Sequence, residues 1–181
     1  GTSAHIHPRN LIPCLDNNYS FSSPHPSSSS SSSSSLSSIS STTRVVTGTT
    51  DYYRRMAKGC VRSSDFCIEI GSDFGVTTAI LNTHGRKAVG IDKSTKSVRK
   101  AKEQFPSIEF FCADVFQVSE ILTRLHEREG GVDVVFIDIN GNRLLPAVSK
   151  CADLVELLLA PRVIVIKSKE MFKVLKSATR P

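Results

Sequence analysis

Residues 51–181 predict an α/β fold, a doubly wound, Rossmann-like parallel sheet of about five strands with helices on both faces. Three observations carry this. Short runs that are apolar throughout recur along the chain, as strands buried on both faces require. Single segments of helical period separate them, which is the spacing of right-handed βαβ crossovers. Four successive runs then end in or next to an acidic residue, at the sheet edge where open α/β folds bind ligands.

The elements follow in order. Asp51 to Lys58 reads as a short helix, with Tyr52 and Met56 four apart on one face. Phe66–Ile70 is a brief strand halted by Gly71, and Val76, Ala79, Ile80 and Thr83 follow at helical spacing up to a stop at Gly85. Ala88–Ile91 is a second strand ending at Asp92. Its helix carries Val98, Ala101 and Phe105, capped by Ser94 or Ser97 and terminated by Pro106. Ile108–Cys112 leads to Asp114, and Ser119–Glu129 is a helix ended by Gly130-Gly131. Val132–Ile137 is a strand ending at Asp138, Pro146–Leu159 an amphipathic helix, Val163–Ile166 a fifth strand ending at Lys167, and Met171–Ser177 a last helix.

Residues 1–50 differ. They contain 17 Ser, with an unbroken run from Ser27 to Ser35, and no Lys. So few apolar residues cannot offset the ~1–2 kcal/mol per residue that ordering a backbone costs, so a disordered segment is expected. A polar linker is the plainer reading. The Ser-rich, acid-poor composition, with Arg44 in Thr-Thr-Arg-Val-Val, points instead to a transit peptide and a chloroplast (plastid) location, with the cytoplasm as the alternative. The expected domains are therefore 1–50 and 51–181.

Composition excludes several classes. No apolar run approaches the ~20 residues of a membrane-spanning helix, so no membrane partner is expected. Five scattered cysteines, Cys14, Cys60, Cys67, Cys112 and Cys151, form no C-x-x-C pair, which argues against a disulfide scaffold or zinc module. They read as core thiols rather than activated nucleophiles. The net charge is +6, of which +5 lies in residues 51–181 (Arg9 and Arg44 against Asp16 leave +1 before them), compatible with an RNA-binding surface.

The first strand-to-helix turn, Glu69-Ile-Gly-Ser-Asp-Phe-Gly75, lets a ligand approach the backbone at Gly71 and points helix N–H groups beyond Gly75 toward it. Asp92, 21 residues after Gly71, suits the two ribose hydroxyls of NAD or of any other adenosine ligand. Spacing alone leaves that choice open.

The combination resembles the class I S-adenosyl-L-methionine-dependent methyltransferases. Glu69-Ile-Gly71-Ser-Asp-Phe-Gly75 looks like their motif I, and Gly90-Ile-Asp92, Cys112-Ala-Asp114 and Asp133-Val-Val-Phe-Ile-Asp138-Ile-Asn-Gly follow in family order. The resemblance implies S-adenosyl-L-methionine as cofactor. Glu69, Gly71, Ser72 and Gly75 would border its methionine part, Asp92 its ribose, Asp114 and Val115 its adenine, and Asp138 and Asn140 the methyl-donating end. Asp73 stands where the family usually has a second Gly. The family sheet normally runs 3-2-1-4-5-7-6, so the chain reads as C-terminally shortened. The fifth strand is then expected as an exposed edge, open to self-association or a partner protein.

Lys167 and Asp138 also resemble part of the Lys-Asp-Lys-Glu set of FtsJ-like RNA ribose methyltransferases, with Lys58 as the upstream lysine. The resemblance implies that this pair helps deprotonate a hydroxyl, and it makes Asp138 and Lys167 the catalytic candidates. A solvated ion pair is the simpler interpretation. A metal-dependent catechol-type enzyme fits poorly, because Lys167-Ser168-Lys169 would repel a divalent ion, so no metal is expected. The expected function is methyl transfer to RNA or a small molecule. The alternatives are a catalytically silent methyltransferase-like binding module and, behind it, an NAD-binding oxidoreductase.

Overall fold

Phe66–Ile70 (β3) is buried at every position, and this strand starts the sheet in its middle. The computed structural model describes residues 11–13, 42–139 and 145–178. In chain order these form β1 (Leu11–Pro13), β2 (Thr43–Thr47), α1 (Thr50–Gly59), β3, α2 (Val76–His84), β4 (Lys87–Asp92), α3 (Thr95–Gln104), β5 (Glu109–Cys112) and α4 (Glu120–Glu129). There follow β6 (Val134–Ile137), α5 (Leu145–Leu159), β7 (Val163–Lys167) and α6 (Lys169–Ala178). From β3 the chain steps outward through β4 to β5, then returns to β3's other side as β6 and β7. Every pairing is parallel, in the order β1-β2-β7-β6-β3-β4-β5.

Alternation along each strand splits the core in two. Ile68, Val89, Val135, Ile137, Ile164 and Ile166 pack with Leu122, Val148 and Val155 of α4 and α5. Cys67, Ala88, Val134, Phe136 and Val165 meet Tyr53, Ala57 and Leu81 of α1 and α2 on the opposite face. Local signals end the helices as expected. The Ser94 hydroxyl caps α3 by accepting from the Ser97 N–H at 3.2 Å, and Gly130 stops α4 in the left-handed region at φ 75°.

The doubly wound fold and all five expected strands are present. Two features differ from expectation, and both come from the Ser-rich stretch. Thr43–Thr47 is a strand, pairing along the whole of β7 from Thr43↔Val163 to Thr47↔Lys167. The fifth strand is therefore not an exposed edge, because β2 occupies the position beside it and β1 pairs beyond, Leu11↔Arg44. The physical reason is burial. Val46 is fully buried and Val45 nearly so, at about 1.5–3 kcal/mol for each such side chain, and the polar Arg44 is satisfied by Asp153 and Glu156 of α5. Disorder is therefore wrong for residues 11–13 and 43–50, and the sheet draws on strands from before residue 51.

Candidate functional site

Where the winding reverses, between β3 and β6, the strands diverge and open a cavity of about 700 Å³ at their carboxyl ends. Gly71 makes its floor possible. Its φ is 83°, and a Cβ there would lie 2.1 Å from the carbonyl oxygen of Asp138. Its N–H and that of Ser72 donate to the Ile91 carbonyl at 2.8 and 3.1 Å, tying the turn to the end of β4. Gly75, also left-handed at φ 81°, serves packing instead, since a Cβ would strike the Phe110 ring at 2.6 Å.

Asp92 lines the cavity with both carboxylate oxygens already oriented. Oδ2 accepts from the Asp73 N–H at 2.9 Å and Oδ1 from the Ser94 N–H at 2.8 Å. An ionised carboxylate has about four acceptor positions, so two remain for a vicinal diol. Asp73 lines the cavity too, but its Oδ1 accepts from the Ser97 hydroxyl at 3.0 Å, which turns the carboxylate toward α3. Asp114 is oriented by the Phe116 N–H, 3.1 Å from Oδ1, and Val115 stands beside it. Across the cavity the Lys167 ammonium donates to Asp138 Oδ2 at 2.7 Å, the two side chains being 22% and 24% exposed.

Of the sequence-predicted residues, Gly71, Asp92, Asp114, Val115, Asp138 and Lys167 line this one cavity. Glu69 and Ser72 do not, being buried beneath it. Glu69 Oε2 accepts from the Thr78 hydroxyl at 2.5 Å. Burial pushes the Glu69 carboxyl up to about 8; the Thr78 bond pulls it down, and the Asp138 charge raises it again. The Tyr53 hydroxyl, also fully buried, makes no hydrogen bond of ordinary geometry among the described residues, and its own pKa is raised by burial and then by Glu69. Asn140 lies outside the described residues. Lys58 is on the wrong edge: it sits in the last turn of α1, leading to Cys60, whose carbonyl accepts from Arg162 at the opposite end of β7 from Lys167.

Lys93, Ser97, Phe116 and Glu170 also line the cavity; sequence reading noted Lys93 only within the basic segment 93–102 that could contact phosphates and Ser97 only as a cap, and did not single out Phe116 or Glu170. Their signal was only position, within a few residues of a strand's carboxyl end. Burial raises the Cys60 thiol to about 12 and the Cys67 thiol further, which suits inert core thiols.

No family model matches the sequence, and no curated protein matches it either. Solved structures do match. Precorrin 8w decarboxylase from Methanobacterium thermoautotrophicum is 15% identical, with a TM-score of 0.52 over 75% of this chain and 75% of that one. The 23S rRNA methyltransferase ErmE is 16% identical, with a TM-score of 0.49 over 73% of this chain and 52% of its own. A SAM-dependent methyltransferase from Thiobacillus denitrificans, in complex with S-adenosyl-L-homocysteine, is 18% identical, with a TM-score of 0.47 over 66% and 48%. The chain shares a doubly wound, Rossmann-like α/β fold with the first of these. At these identities the likeness is one of fold alone, and the chain spans about half the length of the last two proteins. Its sheet carries parallel β2 and β1 next to β7. Among the described residues no helix is long and apolar enough to cross a membrane.

Proposed function

We propose that this chain is an S-adenosyl-L-methionine-dependent methyltransferase acting on RNA or a small molecule. The observation that carries the reading is Asp92, held at the end of β4 by two backbone N–H groups with two acceptor positions left toward the cavity. The cavity's volume lies within the range of sites for ligands of this size. Its acceptor-rich β4–β5 side suits a nucleoside carrying donor groups.

The residues present fit the cofactor. Bare backbone at Gly71 admits close approach, Asp92 would accept from the ribose hydroxyls, and Asp114 with Val115 would meet the base. When bound, the cofactor supplies an electrophilic methyl on a sulfonium. What the chain adds is orientation and exclusion of water. At the β6–β7 side the Asp138 carboxylate, oriented by Lys167, is placed to take a proton from a hydroxyl acceptor. Glu69 acts indirectly, holding the start of α2 through Thr78.

Plastid targeting remains part of the proposal. Because β2 belongs to the sheet, a cleaved leader would have to end before Thr43.

Calorimetric titration of the chain with S-adenosylhomocysteine, with NAD as control, tests the reading. Saturable binding of the former alone is expected. A folded chain that binds neither contradicts it, and one that prefers NAD reassigns the cleft to a dehydrogenase.

A further inference from the structure

Residues 93–104, beside the cavity, hold Lys93, Lys96, Arg99, Lys100 and Lys102 against a single acid, Glu103, and all six are exposed. Arg99 is paired with Glu103 at 3.8 Å, whereas Lys93, Lys96 and Lys100 form no ion pair among the described residues. Lys96 and Lys100 lie one turn apart on α3, with Ser97 next to Lys96, and Lys93 sits just before the Ser94 cap that starts the helix. Lys93 and Ser97 both line the cavity, so the basic stretch begins at its mouth and continues over roughly 6 Å of α3 from Lys96 to Lys100. Beside its far end lies Phe74, a ring 40% exposed, with the Lys100 ammonium 5.0 Å from its centroid. On the other side of the mouth, Lys169 adds a cation next to Glu170.

We infer that this stripe and the Phe74 ring form a docking surface for single-stranded RNA that leads an acceptor nucleotide into the cleft. The inference rests on the methyltransferase reading and deepens it by naming the acceptor class. A small acceptor would use the cavity and leave the outlying cations and ring without a role. Ammonium groups that track phosphates, with an exposed aromatic beside them for a base to stack on, are the recognised chemistry of single-strand binding. An acidic peptide would use the lysines and not the ring. The Asp138 carboxylate at the other side of the cleft favours RNA over DNA, because every ribonucleotide carries a 2′-hydroxyl with a proton to lose.

The test is fluorescence anisotropy of the full chain with a labelled 12-nucleotide RNA of mixed sequence, with the same DNA sequence and polyglutamate as competitors. Lys96→Glu/Lys100→Glu is compared with the wild type, its fold checked by circular dichroism and its S-adenosylhomocysteine affinity by calorimetry. The double variant is expected to weaken RNA binding at least tenfold. It should also flatten the salt dependence by about 1.4 in the log–log slope, since each lost phosphate contact is worth about 0.7. Phe74→Ala is expected to weaken binding about threefold or more, and cofactor-product affinity in the double variant to stay within twofold.

RNA binding indifferent to the double variant, or equal displacement by DNA or polyglutamate, overturns the inference. If S-adenosylhomocysteine binds and RNA does not, the docking surface falls while the methyltransferase reading stands. RNA bound through the stripe by a chain that ignores S-adenosylhomocysteine supports the surface and removes the methyltransferase reading.

Discussion

On the β4–β5 side of the cleft, Asp92 is held by two backbone N–H groups and Asp114 by a third, whereas on the β6–β7 side Asp138 is held by a side chain, Lys167. Main-chain donors cannot leave without the turn opening, so the first side presents acceptor lone pairs in fixed directions. The Lys167–Asp138 pair is about a quarter exposed on each partner and rests on side chains that can rotate. Their supports differ as well. The β4–β5 side is built by consecutive βα units between residues 66 and 116, while the other side is flanked by β2, whose Thr47 pairs with Lys167 from 120 positions away. One side of the cleft is preorganised by local chain, and the other depends on a distant strand.

Removing that strand is the harshest way to break the comparison. A chain starting at residue 48 loses β2 and bares the edge of β7, and it is expected to show no cooperative thermal transition by circular dichroism. A chain starting at residue 42 keeps β2 and is expected to melt cooperatively. Equal melting of the two would show that β2 is dispensable.

Gly71→Ala tests where the two sides touch. Its Cβ would fall 2.1 Å from the Asp138 carbonyl oxygen at a left-handed φ of 83°, so a loss of about 2 kcal/mol or more is expected in urea unfolding. Gly59→Ala, with nothing within 4 Å, is expected to be neutral or better.

Glu69 lies beneath both sides and gives a pH signature. Its folded carboxyl titrates near 8, above the unfolded value of 4.5, so the folded state holds the extra proton between them. Stability from this group is complete below about 4.5 and is lost as pH rises toward 8, at up to about 1.4 kcal/mol per pH unit. Glu69→Gln is expected to remove that slope from denaturant midpoints measured across the interval. An unchanged slope would mean that Glu69 is ionised where it lies.

Arg44→Ala is the mildest test of the β2 side. It releases Asp153 and Glu156, each about a third exposed, and a loss of about 1 kcal/mol in the same unfolding assay is expected after allowance for solvent screening.

The two sides were also unequally legible. β3 to β7 announce themselves because each is a local apolar run, and Ser94, Gly85 and Gly130 end or start helices through bonds within a few residues. Asp92 and Asp114 could be read as cleft residues because strand ends fix where they lie. β2 could not, since Thr43, Arg44 and Thr47 look polar among serines, and the Asp153 and Glu156 that neutralise Arg44 come from a helix more than 100 positions on. Lys58 was the right residue type on the wrong edge, because a helix of 10 residues carries its two ends to opposite sides of the sheet. Glu69 was recognisable by motif, but its burial over Thr78 depends on the packing of α1 and α2.

The most direct test of the central claim is S-adenosylhomocysteine titration of wild type and Asp92→Ala side by side, with matched thermal melts. The structure predicts wild-type binding that falls at least tenfold in the variant, a loss of ~1.4 kcal/mol, with both chains folded. Equal affinity in two folded chains would contradict it, because the ribose would then not be held at the end of β4.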